Sequence, residues 1–100
     1  MKVNVQSVNF VADRKLHDFI QDRTDKLELF YDKIVKTTVY LKVENTSSKE
    51  NKIVEVQVKI PRNQLMVKKQ CKTFEEAVDS ACDAIERQLV KTKEKMRAHA

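Results

Sequence analysis

The sequence contains no glycine among its 100 residues, and this absence excludes a whole class of sites. Loops that cradle phosphates, dinucleotide fingerprints and calcium-binding loops need glycine where the backbone takes a positive φ or approaches a ligand closely. Glycine-dependent nucleotide sites are therefore not expected.

Cysteine, histidine and long apolar runs are also scarce. Cys71 and Cys82 are too few for a disulfide scaffold, and Cys82 is expected to be a small buried filler of a helix. The two histidines lie far apart and share no metal-ligand spacing with cysteines or carboxylates. No stretch is apolar enough to span a membrane. These absences predict a cytoplasmic protein that is not an enzyme and uses no metal, cofactor, small-molecule substrate or membrane.

Hydrophobic periodicity predicts the element order strand, helix, three strands, helix. Alternating apolar residues predict four strands, over residues 2–10, 34–44, 53–60 and 64–71. Helical spacing predicts one helix that begins near Asp13 and a second over residues 73–97, where Thr73 and Glu76 form a capping box. In the first strand, Val8 falls on the opposite parity from Val3, which predicts a bulge or twist near Gln6 and Ser7.

Each predicted strand has one apolar face, so both helices are expected to cover that face. The first two strands should be parallel, joined by a right-handed crossover, and the last three should form an antiparallel meander. The predicted fold is a single α+β domain, residues 1–100. It is a two-layer sandwich of a four-stranded mixed sheet under two helices, similar to a double-stranded RNA-binding domain.

The last helix carries two different faces. Its apolar stripe is formed by Phe74, Val78, Ala81, Ile85, Leu89 and Met96. Away from this stripe, Arg87, Lys91 and Lys95 recur every four residues. The helix dipole favours cations only in the terminal turn, so a longer basic stripe favours contact with an anion. The alternative interpretation is a solvated charged face.

Basic residues exceed acidic ones by five over the whole chain, which favours an anionic partner such as nucleic acid. Lys26 lies on a flank of the first helix, and Lys68 points outward from the last strand. Arg23 is in phase with the apolar residues of its helix, so it must reach an edge or bind something. The expected open face of the sheet has almost no aromatic residue except Tyr40, which favours recognition by shape and phosphate over base stacking. The candidate RNA-binding residues are Arg23, Lys26, Lys68, Arg87, Lys91 and Lys95.

Three stretches make the chain resemble the ribosome hibernation-promoting factors and ribosome-associated translation inhibitors. They are DRTDKLELFYDKI at residues 22–34, VYLKVE before a polar loop at residues 45–52, and KTFEEAVDSACDAIERQLVKTKEK at residues 72–95. The resemblance covers essentially the whole chain, and the predicted strand order agrees with that family.

The resemblance implies a protein that binds ribosomal RNA of the small ribosomal subunit across the decoding region. There it would block messenger and transfer RNA and inactivate ribosomes. By position, Arg23 and Lys26 match the basic pair of the family's first helix, and Arg87, Lys91 and Lys95 match the basic run of its last. With 100 residues we expect a short family member, without the C-terminal domain of long members, and a monomer when free.

Two other functions fit the same residues. A general double-stranded RNA-binding module would use the same basic surface without preferring ribosomes. A protein-interaction domain would receive a peptide on the open sheet face or at an edge strand.

Overall fold

The computed structural model describes residues 2–8, 10–44, 47 and 49–98, with side-chain surroundings for this set up to residue 95. Parts of the predicted polar loop and the predicted core position of the Met96 side chain lie outside the described residues. The elements are β1 (Asn4–Val8), α1 (Arg14–Asp25), a 3-10 helix (Lys26–Leu29), β2 (Lys36–Val43), β3 (Lys52–Ile60), β4 (Asn63–Cys71) and α2 (Phe74–Ala98). The predicted order of strands and helices is confirmed.

The four strands form one mixed sheet in the order β1-β2-β3-β4. β1 is parallel to β2, whereas β2, β3 and β4 form an antiparallel meander, as predicted. The register of β1 runs without interruption from Asn4, opposite Thr38, to Val8, opposite Lys42. The predicted bulge is therefore wrong. Because the alternation is not broken, Val8 stays on the face away from the core and is 43% exposed.

Both helices lie on one face of this sheet, because one continuous core joins them to the same side of the strands. Its fully buried members include Ile20, Leu27, Val39, Leu41, Val54, Val56, Val58, Val78, Ile85 and Leu89. Each large apolar side chain removed from water contributes about 1.5–3 kcal/mol. The apolar faces of the strands and helices thus produce the predicted two-layer α+β sandwich.

The starts of both helices are fixed by side-chain caps. Asp13 Oδ1 accepts a hydrogen bond from the backbone N–H of Leu16 at 2.7 Å. Thr73 Oγ1 accepts one from the backbone N–H of Glu76 at 3.1 Å. Because these caps satisfy N–H groups that have no partner inside the helix, they define where each helix begins. The first residue of each helix in turn fixes which side chains face the core.

The first helix ends at Asp25, next to a buried threonine. Thr24 is fully buried, and its hydroxyl donates a hydrogen bond to the carbonyl oxygen of Ile20 at 2.8 Å. A threonine bonded back to the preceding turn bends a helix. After Asp25 the chain tightens into the 3-10 helix, which still buries Leu27.

Cys82 fills space in the core, as predicted. It is fully buried, and both cysteines are free thiols. Burial raises the pKa of the Cys82 thiol to about 12. Burial also raises the pKa of Cys71, with the charge of Glu76 as the next cause. The Cys82 thiol is therefore protonated at neutral pH.

This buried thiol predicts a loss of stability in alkali. Its folded pKa lies above its unfolded value, so its contribution is complete below pH about 9 and is lost as the pH rises towards about 12. The free energy of unfolding should fall by up to about 1.4 kcal/mol per pH unit in that window. Urea unfolding of the wild type and of Cys82→Ala from pH 7 to 10.5 measures this. The stability difference between the two proteins should shrink above pH 9, and parallel curves would contradict the prediction.

Candidate nucleic-acid interface

Helix α2 continues well past the end of its packing surface. Leu89 is its last buried residue, and every described side chain from Val90 to Lys95 is exposed or half-buried. We call residues 87–95 the basic arm. Leu89 anchors this segment in the core, and the other described side chains of the basic arm lie at the surface.

The three repeating cations of the basic arm lie open to solvent. Arg87, Lys91 and Lys95 are exposed. Within the part of the chain that the structure describes, no ion pair joins any of them to a carboxylate. A step of four residues separates them by about 6 Å along the helix axis. The basic arm thus offers a row of cations to a polyanion.

Arg23 is placed differently from these cations. Its guanidinium reaches from α1 to three carboxylates on α2, namely Asp79 (Nε to Oδ1, 3.0 Å), Asp83 (Nη2 to Oδ1, 2.5 Å) and Glu86 (Nη1 to Oε1, 2.6 Å). We call these four residues the Arg23 cluster. The Arg23 side chain is only 13% exposed. Its unusual place in phase with apolar residues is explained by this contact between the helices.

The surroundings of Arg23 keep it charged. Partial burial would by itself lower the pKa of the guanidinium, but the hydrogen bonds to Glu86 and Asp79 and the charge of Glu86 help to outweigh burial, so that the pKa is raised. In this geometry the side chain is bound to three carboxylates of α2.

The Arg23 cluster also shapes the charge of the basic arm. Asp83 precedes Arg87 by four residues, the spacing at which a carboxylate and a cation commonly pair on a helix. Its carboxylate is instead bound by Arg23. Three carboxylates of α2 are thus bound to α1, and the basic half of the helix keeps its positive charge.

The other two candidate residues lie on different elements from the basic arm. Lys26 is exposed at the first position of the 3-10 helix, where α1 ends. Lys68 is exposed on β4 and pairs in register with Glu55 of β3. Its neighbour Val67 packs towards the core, so Lys68 projects from the opposite, open face of the sheet. The structure does not bring Lys68 together with Arg87.

Two further cations on the open face were not singled out from the sequence. Lys36 and Lys59 are direct cross-strand partners on β2 and β3. Together with Tyr40 and polar neighbours they line a depression of about 210 Å³. Like charges directly opposite each other are unfavourable in a sheet. Only the strand register, which the sequence pattern did not determine, shows that the two lysines are neighbours.

Among the residues described, no group of three or more His, Cys, Asp or Glu side chains could hold a metal ion. None of the described helices is long and apolar enough to cross a membrane.

Comparison with known sequences decides the family. A family model described as "Sigma 54 modulation protein / S30EA ribosomal protein" matches residues 3–97. The chain belongs to this family. One similar member is the ribosome hibernation promoting factor of Pseudomonas putida, which is 29% identical over 98 residues that cover 98% of this chain and 92% of the relative. The resemblance inferred from the three sequence stretches is confirmed.

Solved structures of similar fold support the same architecture. The N-terminal domain of Protein Y from Thermus thermophilus superposes with a TM-score of 0.79 at 19% identity, over 92% of this chain and 99% of that one. A ribosomal subunit interface protein from Coxiella burnetii gives a TM-score of 0.82 at 19% identity, over 94% and 99% of the two chains. The match extends over nearly the whole of each chain, so these folds agree with the predicted β-α-β-β-β-α order.

We expect removal of the Arg23 guanidinium from the Arg23 cluster to destabilise the fold measurably. Arg23→Met should lower the free energy of unfolding by about 1–2 kcal/mol, because Glu86 keeps its partly buried charge without a partner. We expect less than for a fully buried pair, since Asp79 and Asp83 are more than half exposed. Urea unfolding measures the change.

A matched control is Arg14→Met. Arg14 pairs with Asp18 on the helix surface at 3.9 Å, and its side chain is 95% exposed. Its removal should change stability by less than about 0.5 kcal/mol. Equal effects of the two substitutions would contradict the role assigned to Arg23.

Proposed function

We propose that this protein binds the small ribosomal subunit through phosphates of its ribosomal RNA at the decoding region. There it occupies the place of messenger and transfer RNA and holds the ribosome inactive. Family membership supports this proposal, as do the names of a relative, ribosome hibernation promoting factor, and of a structural neighbour, ribosomal subunit interface protein. The observation that carries it is the exposed row of cations on the basic arm, where Arg87, Lys91, Lys93 and Lys95 outnumber the single carboxylate of Glu94.

The mechanism is occlusion and needs no bond to be made or broken. The molecule measures 49 × 25 × 18 Å, with α2 as its long element of 25 residues. The packed half of α2 holds the basic arm in a fixed direction, so the cations meet a phosphate backbone with little loss of conformational freedom. The protein acts in this scheme as a single domain, monomeric when free, in the cytoplasm, and without catalytic activity.

The candidate residues have different tasks in this proposal. Arg87, Lys91 and Lys95 contact phosphates directly, and Lys26 adds a cation where α1 ends. Arg23 positions α2 through the Arg23 cluster and keeps acidic side chains away from the basic arm. Lys68 contacts a separate RNA segment across the open face of the sheet.

Reversal of the basic arm tests the proposal. The variant Arg87→Glu, Lys91→Glu, Lys95→Glu should keep its stability within about 1 kcal/mol, because all three side chains are exposed. It should lose cosedimentation with isolated small subunits. The salt dependence of the wild type should be steep, and its log–log slope should fall by about three in the variant.

A matched control places the same charge reversals elsewhere. Lys15→Glu, Lys33→Glu, Lys72→Glu changes the net charge equally at three exposed positions outside the basic arm. This control should retain most of the cosedimentation. If both triple variants bind alike, net charge alone explains binding and the assignment to the basic arm is wrong.

Lys68 provides a separate test of the open face. Lys68→Gln should weaken binding to small subunits severalfold, and the loss should add to that of Lys91→Gln, because distant sites act independently. The same sedimentation titrations measure both single variants and the double variant. Wild-type affinity for Lys68→Gln would remove the open face from the interface.

A general RNA-binding module is the second candidate, favoured by the regular spacing of the cations, which suits any phosphate backbone. An unrelated RNA duplex should compete poorly against small subunits if the leading proposal is correct. Equal affinity for both would favour the general module. Salt-insensitive binding to a ribosomal protein would instead favour a protein-interaction domain.

A further inference from the structure

A groove lies beside the basic arm, between α2 and the end of the 3-10 helix. Its volume is about 390 Å³, and it is lined by Phe30, Glu86, Arg87, Val90, Lys91 and Glu94. A neighbouring depression of about 230 Å³ shares Phe30, Val90 and Glu94 and adds Leu29 and Lys93. Because the two depressions share three lining residues, we call them together the arm groove.

The floor of the arm groove is apolar and open to solvent. Leu29 is 81% exposed and Val90 is 38% exposed. Phe30 lies between them, half-buried, with part of its ring packed on the core. A single exposed apolar residue needs no explanation. Three that share one concavity form a surface that an apolar or flat group can cover.

The rim of the arm groove is cationic. Arg87, Lys91 and Lys93 are exposed around it. Of the two acidic residues in the lining, Glu86 is bound by Arg23 at 2.6 Å, which leaves Glu94 as the opposing charge. The groove therefore combines an apolar floor with an excess of positive charge at its edge.

We propose that the arm groove receives an unpaired RNA base, with Arg87 and Lys91 holding its flanking phosphates. The inference rests on the proposed function and adds to it the kind of RNA that the basic arm contacts. A nucleotide has a flat, weakly polar base beside an anionic phosphate, which matches the floor and the rim. Unstacked bases commonly lie against aromatic rings or arginine planes in RNA complexes.

Charge complementarity selects this occupant over the others. An apolar peptide would cover the floor but leave the cationic rim without partners. A continuous duplex would satisfy the rim, but its bases stay stacked inside and leave the apolar floor exposed. The sheet has few aromatic residues for stacking, whereas the helix layer supplies Phe30 at the edge of the phosphate-binding row.

The test uses substitutions that make the floor of the arm groove less apolar and leave the net charge unchanged. The variant carries Leu29→Ser and Val90→Thr, and its binding is measured by fluorescence anisotropy. The probes are a single-stranded RNA octamer, the same octamer with one central abasic site, and a blunt duplex of the same sequence. Isolated small subunits are titrated in parallel by sedimentation.

The variant should bind the intact single strand and the small subunits about fivefold to tenfold more weakly than the wild type. Its affinity for the duplex should be unchanged, and its salt slope should match that of the wild type, since no cation is lost. The wild type should bind the abasic strand more weakly than the intact one. Val35→Thr is the matched control, because Val35 is 60% exposed and lies outside the groove.

Several results would overturn the inference. Equal wild-type binding of the abasic and intact strands would do so, and so would unchanged affinity of the variant for small subunits. If the wild type binds an RNA-free mixture of small-subunit proteins and the variant does not, the occupant of the groove is a peptide and the inference is wrong. If the wild type fails to cosediment with small subunits, the proposed function is contradicted. That result is separate from a failure of the base-binding inference, because the inference is tested on its own by the RNA octamers. Thermal unfolding confirms that each variant is folded, and Phe30→Leu provides a second change of the floor that keeps an apolar side chain against the core.

Discussion

Arg23 joins the two helices by ion pairs to Asp79, Asp83 and Glu86, and the arrangement of charge on the surface follows from this contact. A lone guanidinium at 13% exposure would be costly to desolvate, and three carboxylates around it offset that cost. The same contact binds Asp83 and Glu86, the two acidic side chains that directly precede the basic arm. Packing of the helices and exposure of the cations are therefore linked through one side chain.

The apolar core makes this contact possible by fixing the position of α2. Val78, Ile85 and Leu89 bury one stripe of the helix against the sheet, and the cap at Thr73 fixes where that stripe begins. Once the buried stripe is fixed, the direction in which every other side chain of the helix points is fixed as well. Asp79 and Glu86 face α1, while Arg87 and Lys91 face solvent.

Most of the fold was predictable from the sequence, because strand alternation and helical spacing are local properties. The caps at Asp13 and Thr73 and the burial of Cys82 were predictable for the same reason. The partners of Arg23 were not, since they lie 56 to 63 positions away and meet it only after both helices have packed. The sequence did show that Arg23 is in phase with apolar residues, which predicted that its side chain contacts something. The ion pairs to α2 agree with that prediction.

The candidate site was predictable only in part. The spacing of Arg87, Lys91 and Lys95 indicated an exposed row of cations, which the structure contains. The face occupied by Lys68 relative to this row, and the pairing of Lys36 with Lys59, depend on the three-dimensional register of the sheet. The arm groove depends on where the 3-10 helix ends, which apolar spacing alone did not reveal.

The division of α2 into an acidic half and a basic half also separates charge along this helix. Carboxylates gather around Arg23 on one stretch of the helix, and positive charge collects at the far end. In the field of a large polyanion such a body experiences a torque as well as an attraction. It would turn its positive end forward while still separated by solvent, so a greater fraction of collisions would begin in the correct orientation.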